Sequence, residues 1–148
     1  MHYVELVAML VVLQYLFFIV QVGRARGITG LKAPAVSGHE GFERIYRVQM
    51  NTLELMVALL PALFVAARFW PASWVAGLGA VYLLGRFIYW RAYVRAPSAR
   101  GLGFGLSMLP LLVLLALALA GAVMGKNLEE VRAAAAQTDA ALEAEHGR

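Results

Sequence analysis

Four apolar runs divide the chain, and short polar stretches bearing glycine or proline separate them. The first covers about Val4–Val22, with Glu5, Gln14 and Gln21 as its polar positions. The second covers about Arg44–Phe69, polar in its first half and apolar in its second. The third covers about Ala72–Tyr93, and the fourth, about Leu102–Gly125, carries no charge. At about 1.5 Å rise per residue, each run is long enough to cross a hydrocarbon core of about 30 Å. The pattern predicts an all-α fold, an integral membrane four-helix bundle over residues 1–125. A soluble, Ala- and Glu-rich helical tail is predicted over 126–148.

The connections predict how the runs are joined. Gly23–Glu43 reads as a long loop containing Gly27, Gly30, Lys32, Pro34 and Gly38. Trp70-Pro71-Ala72-Ser73 reads as a tight turn in which Pro71 stops one helix and Ser73 caps the next. Ala96–Gly101 reads as a short basic turn. Lys and Arg concentrate beside the first and third connections (Arg24, Arg26, Lys32; Arg91, Arg95, Arg100), while the second has only Arg68. By the positive-inside rule, the first and third connections face the cytoplasm and both termini face the other side. Phe69, Trp70 and Trp74 then form an interfacial aromatic belt at the non-cytoplasmic end. The first run has Glu5 before it and Arg24 and Arg26 after it. That is the reverse of a signal peptide, so it reads as a retained span.

Composition agrees with the bilayer as solvent. Apolar residues make up 61% and charged residues 15% of the 148 positions. Soluble chains sit near 45–50% and about 25%. There is no cysteine, which excludes disulfides, thiolate metal sites and a cysteine nucleophile. A reactive sulfur would have to arrive with a ligand, and no metal is called for. The net charge of +4 would suggest nucleic acid in a soluble protein. Here the basic residues lie at the ends of apolar runs, a topology signal, and no nucleic-acid partner is expected.

Charges inside the spans need a reason of their own, because the bilayer excludes them unless they face the bundle interior or a watery cavity. Arg44, Arg47, Asn51 and Glu54 follow helical spacing and share one face of the second span. Tyr82, Arg86, Tyr89 and Tyr93 share one face of the third. Arg100 stands at the mouth of the fourth. Arg24, Arg68 and Arg95, near span ends, read as side chains that snorkel to the headgroups. Guanidinium forks match carboxylates, and a carboxylate matches an ammonium. The residues alone therefore point to a small polyanionic zwitterion held at the cytoplasmic edge.

The run Gly41-Phe42-Glu43-Arg44-Ile45-Tyr46-Arg47-Val48-Gln49-Met50-Asn51-Thr52-Leu53-Glu54 closely resembles the signature of the MAPEG family, the membrane-associated proteins of eicosanoid and glutathione metabolism. The pattern Tyr82-x3-Arg86-x2-Tyr89-x3-Tyr93, with Arg100 after it, is similar to the same family, and the similarity spans about residues 1–125. The resemblance implies a homotrimer that binds glutathione between adjacent protomers near the cytoplasmic side. It implies that Arg26, Arg47, Gln49, Asn51, Glu54, Tyr89 and Tyr93 line the glutathione site. It gives Arg100 the catalytic role of stabilising the thiolate. Two positions depart from the specialised branches. Leu55 stands where the leukotriene-forming branch has tyrosine, and Gly101 where the prostaglandin-forming branch has serine.

The resulting expectation is a membrane glutathione transferase that joins the thiolate to a lipophilic electrophile arriving with the lipid. Glutathione-dependent reduction of lipid hydroperoxides would be a second activity. The alternative is a non-catalytic lipid-binding or partner-presenting member of the same family. The Ala-, Gly- and Arg-rich composition suggests a bacterial inner membrane, with the site toward the cytoplasm.

Overall fold

A computed structural model describes residues 1–125, 130 and 132–138. Four long helices run α1 (His2–Thr29), α2 (Glu40–Phe69), α3 (Ala72–Arg95) and α4 (Gly101–Met124), with one 3-10 turn, Pro97–Arg100, before α4. All four are long and apolar enough to cross a membrane. Residues 132–138 are helical and exposed. The remainder of the predicted tail lies outside the described residues.

The helices extend beyond the apolar runs at their polar ends. The expected Gly23–Glu43 loop shrinks to residues 30–39. Gly30 stops α1 at a left-handed φ of 70°, and its N–H donates to Arg26 O at 2.9 Å. Glycine takes that conformation without a Cβ clash. On the other side, Glu43 accepts the Gly38 N–H at 2.8 Å, which holds the chain where it turns into α2. Glu40 and Arg44, one turn apart, form an ion pair. Arg44 Nη1 also donates to the last carbonyls of α3, Val94 O at 3.2 Å and Arg95 O at 3.1 Å. Arg44 thus ties the start of α2 to the end of α3.

The tight turn at Trp70–Pro71 is present, but Ser73 does not cap it. Pro71 precedes α3, and its carbonyl accepts from Trp74 N at 3.0 Å and Val75 N at 3.2 Å. Ser73 lies inside the first turn, and no side chain caps this end. The aromatic belt divides. Trp74 is 77% exposed, whereas Trp70 turns inward and donates its Nε1–H to Leu117 O at 2.9 Å.

The core has three parts. The largest joins all four helices through Val4, Val7 and Val11 of α1, Leu59 and Leu63 of α2, Val75 and Tyr82 of α3, and Leu111 and Leu114 of α4. Phe18, Val48 and Tyr89 make a second, nearer the polar end of α2. Val22, Ala25 and Phe42 close the α1–α2 end. Large apolar side chains such as Leu6, Met9, Leu13, Leu84, Leu109 and Leu112 are exposed on the outside. That inversion is what a lipid solvent requires.

The polar ends of α3 and α4 approach closely because glycines stand at the crossing. A Cβ on Gly85 would fall 2.6 Å from Leu106 C and 2.7 Å from Ser107 N. A Cβ on Gly103 would run into the backbone of Tyr89. Small residues at helix crossings are how membrane helices gain close van der Waals contact.

Candidate functional site

A cavity of about 400 Å³ opens between α2, α3 and the start of α4, within the size range of small-molecule sites. Its polar wall comes from Asn51 and Glu54 of α2, Arg86 and Tyr89 of α3, and Arg100 of the 3-10 turn. Leu55, Phe104 and Met108 form an apolar wall. The cavity therefore meets both an ionic ligand and a greasy one.

The helical spacing read from the sequence explains the polar wall. Asn51 and Glu54 share one stripe of α2, and Arg86 and Tyr89 share one stripe of α3. Asn51 Nδ2 donates to Tyr89 OH at 2.6 Å and locks the two stripes together. Tyr93 stacks on Tyr89 with ring centroids 5.4 Å apart. The Arg100 guanidinium lies 5.7 Å from the centroid of the Tyr93 ring. Pro97 starts the 3-10 turn that carries Arg100, and Arg100 itself is exposed.

Arg86 was on the predicted stripe but not among the predicted ligands, and it is the most deeply set charge of the cavity. It is wholly buried. Its Nε and Nη2 donate to Thr52 Oγ1 at 3.2 and 2.7 Å. Nη2 also reaches Val48 O at 3.4 Å, and the guanidinium lies 4.1 Å from the Tyr89 ring centroid. Thr52 is not legible in the sequence, because a threonine in an apolar helix carries no signal until its partner is known. It donates to Val48 O at 2.6 Å and accepts from Arg86.

The other predicted ligands fall elsewhere. Arg26, on the last turn of α1, donates to Ala35 O at 2.8 Å and lies 4.6 Å from the centroid of the Phe42 ring. Gln49 donates to Tyr15 OH of α1 at 3.0 Å. Arg47 is exposed on the stripe of Asn51 and Glu54, one turn before them, and does not line the cavity. At about 100° per residue, Gln49 stands on the opposite side of α2 from Arg47. The eight residues thus form two groups. Asn51, Glu54, Tyr89 and Arg100 line the cleft, with Tyr93 stacked on Tyr89 and Arg47 exposed one turn before Asn51. Arg26 and Gln49 lie on the α1–α2 side.

Four apolar helices with a polar, arginine-bearing cleft at one end define a multi-pass integral membrane protein. The MAPEG family model matches residues 4–120, and the chain belongs to that family. It is 36% identical to human microsomal glutathione S-transferase 2 over 126 residues, 83% of this chain and 86% of that protein. It is 36% identical to bovine leukotriene C4 synthase over 128 residues, 86% of this chain and 85% of that protein. An uncharacterized Synechocystis protein, sll1147, is 42% identical over 109 residues, 74% of this chain and 80% of that one.

Proposed function

We propose that this protein is a membrane glutathione transferase that conjugates the glutathione thiolate to lipophilic electrophiles. The observation that carries the reading is the cleft itself, where Asn51, Glu54, Arg86, Tyr89 and Arg100 face an apolar wall of Leu55, Phe104 and Met108. A hydrophilic thiol peptide suits the first wall and a lipid-borne electrophile the second. The names of the similar proteins, a glutathione S-transferase and a leukotriene C4 synthase, support the same chemistry.

The ligand's carboxylates would meet guanidiniums at the mouth, with Arg47 and Arg26 as the candidates, and its ammonium would meet Glu54. Arg100 would face the sulfur. A free thiol has a pKa of about 8.5, and neighbouring cations lower it. The thiol proton leaves to water at the mouth. The sulfur lone pair then attacks the electrophilic carbon, a C–S bond forms, and the leaving group departs with its electron pair. The same thiolate could reduce a lipid hydroperoxide, with a second glutathione closing the disulfide.

Two further parts belong to this reading. The cleft faces the cytoplasm, supported by the Lys and Arg beside the first and third connections. The active unit is a homotrimer, supported by the two groups of ligand residues. One chain holds them on different sides, and a neighbouring copy can bring the Arg26 and Gln49 side of one chain to the cleft of the next. Residues 1–125 then form the membrane domain, with the tail outside it.

The test is conjugation of an electrophilic aryl halide by the purified protein. Wild type turns over with glutathione, and Arg100→Ala loses at least about tenfold in kcat, an effect of about 1.4 kcal/mol on the barrier. Glutathione binding without turnover or thiolate absorbance would instead identify a non-catalytic, ligand-presenting protein.

A further inference from the structure

Arg86 is the one wholly buried charge among the described residues. No carboxylate there pairs with it. Its hydrogen-bond partners, Thr52 Oγ1 and Val48 O, are neutral, and its Nη1 is buried without any partner. A buried cation held only by neutral acceptors is costly, and a matching anion removes much of that cost. The side chain nevertheless lines the cleft.

We propose that Arg86 is a second thiolate-stabilising group, which holds the sulfur of glutathione from the membrane-facing floor of the cleft through Nη1. The inference rests on the glutathione reading and divides the work of its two cleft arginines. Depth and charge together select which part of the ligand Arg86 meets. It stands nine residues before the end of α3 at Arg95, about 13 Å of helical rise below the mouth. The carboxylates are strongly hydrated and stay at the mouth, while the ammonium is repelled by Arg86 and goes to Glu54, which lines the cleft at about the same depth. The sulfur has to reach the apolar wall, where the electrophile arrives. A thiolate is softer and less hydrated than a carboxylate, and guanidinium is the less hydrated of the two basic side chains. This is the cheapest ion pair to bring to that depth.

Environment also ranks the two arginines. Arg100 is exposed, where solvent and salt weaken its field. Arg86 acts in a lower effective dielectric, so the same separation gives a larger interaction. The other polar groups facing the cavity are Asn51 and Glu54 from α2, Tyr89 from α3, and Arg100. The buried Tyr82 hydroxyl, also without a partner, lies one turn deeper on α3. α1 contributes no lining residue. Glu54 opposes the thiolate, so the cations must outweigh it.

The experiment is a pH titration of thiolate absorbance in the glutathione complex of the full-length protein, beside the affinity for S-methylglutathione, which cannot ionise. Arg86→Gln should raise the thiolate midpoint by about one to three pH units, the effect of removing a cation within contact range. S-methylglutathione affinity should change by much less than the thiolate midpoint implies, whereas a merely structural role would weaken it without a specific shift of that midpoint. Arg86→Lys keeps the charge without the fork on Thr52, and should show a smaller shift in the same direction. It carries the test if the glutamine variant fails to fold. A wild-type midpoint in the variant that folds overturns the proposal, as does an Arg100→Ala shift that accounts for the whole effect. Absence of glutathione binding in wild type brings down the glutathione reading itself. A normal wild-type thiolate with unshifted variants brings down Arg86 alone.

Discussion

Thr52 Oγ1 accepts two N–H groups of Arg86 and donates its own O–H to Val48 O one turn earlier. One hydroxyl therefore accepts two of the five N–H groups of a buried cation. Thr52→Val keeps the shape and removes the acceptor, leaving Arg86 Nε unpaired and Nη2 with only the long contact to Val48 O. Hydrogen bonds to charged groups contribute about 1.5–3 kcal/mol, so Thr52→Val should lower stability by about that amount. Thr52→Ser should lose little. Thermal unfolding of both variants in one detergent checks this, and a valine variant as stable as wild type would remove Thr52 from the role. The arginine stripe was legible in the sequence because a charge in an apolar span stands out against its background. Thr52 was not, since a hydroxyl that bonds to its own helix is common there and only the facing helix gives it a second task. Arg86 itself stood on a legible stripe, but its burial depends on α2 covering it, which no single-helix pattern reveals.

Among the elements, the packing of α3 on α4 sets the cleft. Gly103 sits against the Tyr89 backbone and Gly85 against that of Leu106 and Ser107. Both obstacles are backbone, so neither can yield by rotating a side chain. Gly103→Ala should separate the helices, displace Tyr89 relative to Arg100, and cost at least about 1–3 kcal/mol by overpacking. Conjugation should fall with it. Gly105, two residues on, has nothing within 4 Å of a Cβ. Gly105→Ala should leave stability unchanged or slightly raised, since glycine is the poorer helix former. Equal effects of the two substitutions on unfolding temperature would refute close packing at Gly103 as the determinant. The sequence carried the four helices because their apolar runs are long and their breaks marked. It misplaced the first connection, because the ends of α1 and α2 continue as charged helix past the apolar run. There the Gly30 stop and the Glu43 hold on Gly38 decide the boundary, and hydropathy does not.

At the scale of the whole molecule, the proposed ligand residues occupy two sides of one chain. Arg26 and Gln49 are engaged along α1 and α2, whereas Asn51, Glu54, Tyr89 and Arg100 face the cavity. If a ring of three joins the α1–α2 side of one chain to the cleft of the next, each site is heterologous, built from two different surfaces. Complementation then becomes possible. Arg26→Ala damages one surface and leaves the cleft intact; Arg100→Ala does the reverse. Each variant alone should be nearly inactive. Co-expressed in equal amounts, they should regain activity, because about a quarter of the interfaces in a random mixture pair an intact cleft with an intact facing surface. Mixing the separately assembled variants without exchange should regain none. A site contained within one chain predicts no recovery in either case. Recovery on co-expression would therefore place Arg26 and Arg100 on different copies in the same working site, which neither side of a single chain can do by itself.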